Sequence, residues 1–166
     1  YKSGMAMLMT MRGVPQMYYG DEILMKNFSN PDGLVREDFP GGWTGDKDNK
    51  FVASGRNDKE NDAFNYVRTL ANYRKNTTAL QTGKMMQYIP EQGVYVYFRY
   101  DAQKTVMVVY NSREKEQTIT TERYGERING AAKARNVITG DTMDLSKLTL
   151  PATATLVLEL IPDNTH

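Results

Sequence analysis

The residues in this chain that could do chemistry are mostly carboxylates. Asp21 and Glu22 stand side by side behind an apolar run at 14–19, and Asp32 and Arg36 lie four apart in a polar stretch. A carboxylate beside a guanidinium can accept from one hydroxyl and donate to its neighbour. The plainer reading of Asp32 and Arg36 is an exposed ion pair on a loop, worth little by itself. Asp21 and Glu22, if they continue a strand, point to opposite faces and cannot flank one bond. The chain has no Cys, which removes a thiol nucleophile, disulfides and zinc–thiolate sites. Its one histidine is the last residue, His166, and a Ser-His-Asp relay needs an imidazole held by its surroundings. Carboxylate chemistry or binding is what remains, with no metal or cofactor site expected.

Positioning such groups takes a folded domain, and the composition supplies one. The 166 residues carry 21 Lys and Arg against 20 Asp and Glu, a balance that argues against nucleic acid as a partner. With mean hydropathy −0.61, and apolar runs of only about five residues where a spanning helix needs ~20, no membrane partner is expected. Apolar helix formers over 5–11 predict a buried helix stopped by Gly13. The run 14–19 reads as a strand buried on both faces, with Pro15 near its start. Residues 20–56 have no periodicity, but Phe28, Phe39, Trp43 and Phe51 argue for an ordered, functional loop. Phe64, Val67, Leu70 and Ala71 predict an amphipathic helix over 57–76, with acids near its start and bases near its end. Strands follow at 84–90, 94–100, 105–110, 116–121, 135–138, 143–145 and 154–161, separated by polar turns, a pattern of an antiparallel sandwich. The boundary falls near residue 80.

The segment Arg12-Gly13-Val14-Pro15-Gln16-Met17-Tyr18-Tyr19-Gly20-Asp21-Glu22 resembles the eighth barrel strand of glycoside hydrolase family 13, the α-amylase family. Its hallmark Gly-x-Pro-x-x-Tyr-x-Gly-x-Glu is present. Arg36-Glu37-Asp38-Phe39-Pro40-Gly41-Gly42-Trp43, with the later Leu70-Ala71-Asn72-Tyr73-Arg74-Lys75, is similar to the bacterial neopullulanase and cyclomaltodextrinase branch. The resemblance implies an α+β composite: the last β/α unit of a TIM (β/α)8 barrel over 1–80, followed by an antiparallel β-sandwich over 81–166. It also implies a retaining hydrolase of starch-derived α-1,4 glucans, with α-1,6 bonds left open. In that family the catalytic carboxylates come from strands four, five and seven, so none is expected in this chain, and alone it should hydrolyse nothing. The chain reads as the tail of something longer. A barrel strand without its neighbours should leave residues 1–56 rearranged or shared with a second copy, whereas the sandwich should fold unaided.

Within the resemblance, Asp32 and Arg36 match the Asp-x-x-x-Arg pair that holds a glucose unit toward the non-reducing end. Trp43 fits two roles equally, a platform for a pyranose face or an anchor for its loop, and Phe39 shares the first. Either Tyr18 or Tyr19 should reach the cleft, the strand sending the other away. Glu22 reads as support for the loop. Tyr95, Tyr97 and Tyr100 suggest packing against a neighbouring domain more than a starch platform. The partner implied is an α-glucan, maltooligosaccharide or cyclodextrin, and the relatives' compartments are cytoplasm and periplasm alike. The competing reading is a non-catalytic carbohydrate-binding or interaction module in which the sandwich is the working part.

Overall fold

A computed structural model describes residues 1–163; His166 lies outside them. Helix α1 (Lys2–Thr10) opens the chain, and α2 (Asp58–Lys75) and the short α3 (Thr78–Gln81) precede the strands. Strands β1 (Lys84–Gln87), β2 (Val94–Tyr100), β3 (Thr105–Asn111), β4 (Gln117–Thr120), β5 (Lys133–Asn136), β6 (Thr142–Asp144), β7 (Lys147–Leu150) and β8 (Thr155–Ile161) follow, with α4 (Gly125–Ile128) between β4 and β5. They build a six-stranded sheet in the order β1-β2-β3-β8-β5-β6 and a two-stranded sheet β4-β7. Every pairing is antiparallel. The expected antiparallel two-layer fold is present.

Strand period two explains where the core sits. Val94, Val96 and Phe98 of β2, Met107 and Val109 of β3, and Leu158 and Leu160 of β8 share one face of the large sheet. They pack with Leu148 and Leu150 of β7, Ile119 of β4, and Tyr124 and Ile128 of the helical segment between β4 and β5. The opposite face is also covered. Tyr97, Arg99, Val106, Val108 and Val157 are fully buried there, and α1 and α3 lie against it. The Thr10 and Tyr97 hydroxyls share a 2.6 Å hydrogen bond, and Tyr73 Oη donates to Glu159 across 2.6 Å. Two tyrosines of β2 are therefore tied into the fold: Tyr97 is sealed in, and Tyr95 donates to Gln87.

Compactness divides the chain into residues 1–15 with 69–163 as one unit and residues 16–68 as another. The second holds no strand and only 3₁₀ turns, at Asp21–Ile23, Asp32–Arg36 and Ala53–Gly55, before α2 begins. The strand expected over 14–19 does not form, and no barrel unit is present. Exposure alternates along 14–18 as a strand's would, with Val14 95% exposed. A parallel strand, however, takes its hydrogen bonds from neighbours, and no strand among the described residues pairs with this run.

Candidate functional site

The long loop is held by its far end. Lys50 N donates to Pro40 O (2.8 Å), and Lys50 Nζ meets Glu60 Oε2 at 2.7 Å with both side chains only 18% exposed. Glu60 also accepts from Asn57 N (2.8 Å) while Asn57 Oδ1 accepts from Glu60 N (3.0 Å), the reciprocal capping of a helix start. The Lys50 hydrogen bond, above all, keeps the Glu60 carboxyl below its usual range. Arg56 donates to Lys50 O, Phe51 O and Asn61 Oδ1 and lies 3.9 Å over the Phe64 ring. Lys50, Arg56 and Asn61 thus set the loop's frame. The sequence reading passed over them, although Asn57-x-x-Glu60 is a visible capping signal.

On this frame the predicted residues fall as follows. Asp32 and Arg36 sit at the two ends of one 3₁₀ turn, which brings them onto the same side. Arg36 Nη2 lies 2.8 Å from Asp32 Oδ2, with the side chains 63% and 67% exposed. Trp43 is 73% exposed, its backbone fastened by Asp46 Oδ2 at 3.0 Å, and its indole has no hydrogen-bond partner among the described residues. Phe39 is half-buried, its ring 4.5 Å from that of Phe51.

Tyr18 and Tyr19 do not divide between two faces. Their rings lie side by side at 4.6 Å, because Tyr18–Asp21 is a turn and not extended chain, closed by Asp21 N donating to Tyr18 O at 3.2 Å with Gly20 inside it at φ 87°. Tyr19 Oη donates to Glu37 O (3.0 Å), and the adjacent Tyr18 side chain raises the Tyr19 phenol above its ordinary value. Both line a hollow of about 490 Å3 with Leu34, Val35, Glu37 and Lys50. Asp21 and Glu22 lie in the 3₁₀ turn Asp21–Ile23, so the strand argument for separating them does not apply. Asp21 Oδ2 accepts from Tyr18 N (3.2 Å), and Glu22 Oε2 is buried without a hydrogen-bond partner among the described residues. Among the described residues no cluster of acids and histidines fit to hold a metal occurs, and no helix is long and apolar enough to cross a membrane.

The Cyclo-malto-dextrinase C-terminal domain family matches residues 85–159. The cyclomaltodextrin glucanotransferase of Klebsiella oxytoca is 32% identical over 118 residues, covering 67% of this chain and 16% of the relative. That of Bacillus licheniformis is 27% identical over 99% of this chain, which spans 21% of it. In fold, the chain is similar to the crystal structure of the α-amylase of Geobacillus thermoleovorans complexed with acarbose. The TM-score is 0.72 at 22% identity, over 98% of this chain and 33% of that one. The chain therefore spans a minor part of the proteins it matches. The antiparallel strands match the cyclomaltodextrinase-type C-terminal domain, and nearly the whole chain aligns with a cyclomaltodextrin glucanotransferase, so the chain is similar over its length to the α-amylase family, glycoside hydrolase family 13.

Proposed function

We propose that this chain is the C-terminal part of a retaining enzyme of the neopullulanase, cyclomaltodextrinase or α-amylase type, acting on starch-derived α-1,4 glucans. Residues 1–80 are read as the end of its (β/α)8 barrel, with 14–19 standing for strand eight, and 81–166 as its sandwich domain. Asp32, Arg36, Trp43 and Tyr18 are its glucan contacts; Phe39 supports the loop through Phe51. The observation that carries this is the exposed Asp32–Arg36 pair at 2.8 Å, a carboxylate and guanidinium arranged to bracket adjacent sugar hydroxyls. The related α-amylase of Geobacillus thermoleovorans was crystallised with acarbose, a sugar analogue. The catalytic pair, two carboxylates about 5 to 5.5 Å apart in a retaining glycosidase, is assigned to the remainder of the parent enzyme.

Trp43 is the only Trp in the chain, so its fluorescence reports on this loop alone. Maltoheptaose should change that emission saturably, and Arg36→Ala should weaken the effect about tenfold, as loss of one charge-assisted pair does. The same material should release no reducing ends from amylose. An emission indifferent to maltoheptaose would remove the contact assignment, and reducing-end release by this chain would remove the division of labour. The module reading gains no support from the β2 tyrosines, since Tyr97 is buried against Thr10.

A further inference from the structure

We propose that the hollow beside the β2–β3 turn binds a small oxyanion, a phosphate carried free or as a monoester, through the guanidinium of Arg127. The hollow measures about 310 Å3 and is lined by Tyr100, Gln103, Lys104, Arg127, Asn129 and Pro162, among others. A neighbouring hollow of about 520 Å3 shares Tyr100 and Arg127 with it. These residues all belong to the unit that contains the sandwich, and the inference is independent of the glucan site.

Arg127 is placed but not satisfied. Its guanidinium carbon lies 4.1 Å from the centre of the Tyr100 ring, a cation–π contact that holds the group at the ring without using its N–H donors. No carboxylate pairs with it, no hydrogen-bond partner meets it among the described residues, and its Nε is buried. The Tyr100 hydroxyl and the side-chain amides of Gln103 and Asn129 likewise have no hydrogen-bond partner there.

The other charges around the hollow are already used. Asp101 Oδ1 accepts from the N–H groups of Gln103 and Lys104, each at 2.8 Å, and its Oδ2 accepts from the Thr78 hydroxyl. Those bonds, Thr78 foremost, hold the Asp101 carboxyl below its usual range, so it stays an acceptor that is already filled. Lys104 Nζ lies 3.2 Å from each oxygen of Glu159. Among the charged side chains lining the hollow, Arg127 is the one whose donors are unspent; Asp101 remains an anion, but one whose acceptors are filled.

The unspent donors decide the ligand class. A planar fork of N–H donors matches two oxygens of a tetrahedral oxyanion, and the Tyr100 hydroxyl and two amides add donors around it. A sugar would want an open aromatic face, but the Tyr100 ring packs on the core and carries Arg127.

The test is a titration of the isotope-labelled 166-residue chain at constant ionic strength with inorganic phosphate, glucose 6-phosphate and glucose, following backbone amides by NMR. Phosphate should shift the amides of 100–105 and 125–131 saturably, while glucose leaves them in place. If glucose 6-phosphate matches phosphate, the free ion suffices; if it binds tighter, the monoester is the better ligand; both support the site. Arg127→Met should weaken phosphate at least about tenfold. Asn129→Asp sets a carboxylate at the hollow at a position with φ 47°, a conformation that Asp tolerates, and should weaken it similarly even if Arg127→Met fails to fold. Shifts that stay linear with concentration, shifts unchanged in both variants, or glucose binding as well as its phosphate would each overturn the proposal.

Discussion

At the scale of single residues, the most consequential groups are two arginines that face backbone carbonyls and, among the described residues, no carboxylate. Arg99 of β2 donates from Nη1 to Thr10 O (2.9 Å) and Met11 O (2.8 Å), and from Nη2 to Gly83 O (3.2 Å). Arg74 of α2 donates to Met9 O (3.0 Å) and Gly13 O (2.8 Å). A helix ends on unpaired carbonyls and a partial negative charge, and α1 carries no basic residue in its own last turn. The two guanidiniums supply what a capping residue would. Burial, with Arg74 as the nearest like charge, lowers the Arg99 value, but a guanidinium stays charged at neutral pH. Arg99→Met leaves those carbonyls buried and unpaired and should cost about 2–4 kcal/mol in urea unfolding, and Arg99→Lys, which has no fork, an intermediate amount. Glu60 gives a pH-dependent case. Its carboxyl is depressed by Lys50 first, so its contribution is present above the unfolded carboxylate value and is lost as pH falls through the lower folded one. The stability difference between the natural chain and Glu60→Gln should therefore be largest near neutral pH and close as urea midpoints are followed down toward pH ~3. Neither role was legible in sequence, because an Arg inside a strand and a Glu in a first turn say nothing of which distant carbonyl or ammonium they meet.

At the scale of elements, sequence period worked where a segment's partners are supplied nearby. Strand β2 was expected at 94–100 and forms over Val94–Tyr100, and α2 was expected at 57–76 and forms over Asp58–Lys75. Strand β7 was missed, being four residues long, although Lys147-Leu148-Thr149-Leu150 alternates exposed and buried without a break. Leu148 is wholly buried against the large sheet, so Leu148→Ala should cost about 2–5 kcal/mol in unfolding free energy. The short helical segment at Glu122–Ile128 was also missed, its turns being too brief to show a period. Gly83, between α3 and β1, marks where backbones meet: a Cβ there would lie 2.3 Å from Ala79 O and 2.7 Å from Tyr100 O. Backbone cannot step aside as a side-chain tip can, so Gly83→Ala should lower the melting temperature by several degrees, on the order of 2 kcal/mol of overpacking.

At the scale of the molecule, the large sheet is buried on both sides, by the β4-β7 layer and by α1 and α3. The sandwich, expected to fold unaided on its own core, buries this outer face as well. A polypeptide of residues 84–163 would expose Tyr97, Val106, Val108 and Val157 and leave Arg99 without its carbonyls. It should bind a hydrophobic dye and unfold over a broad range, whereas the 166-residue chain unfolds cooperatively from the same spectroscopic baseline. The family likeness, the antiparallel character of the second half and the pairing of Asp32 with Arg36 were all determined by local order: a motif, a period of two, a spacing of four. Tertiary structure alone decided that 14–19 has no ladder, that Tyr18 and Tyr19 turn to one side, that Trp43 stands open, and that buried arginines cap α1. Hydrogen-bond partners distant along the chain settle those features, and no window of neighbouring residues contains them.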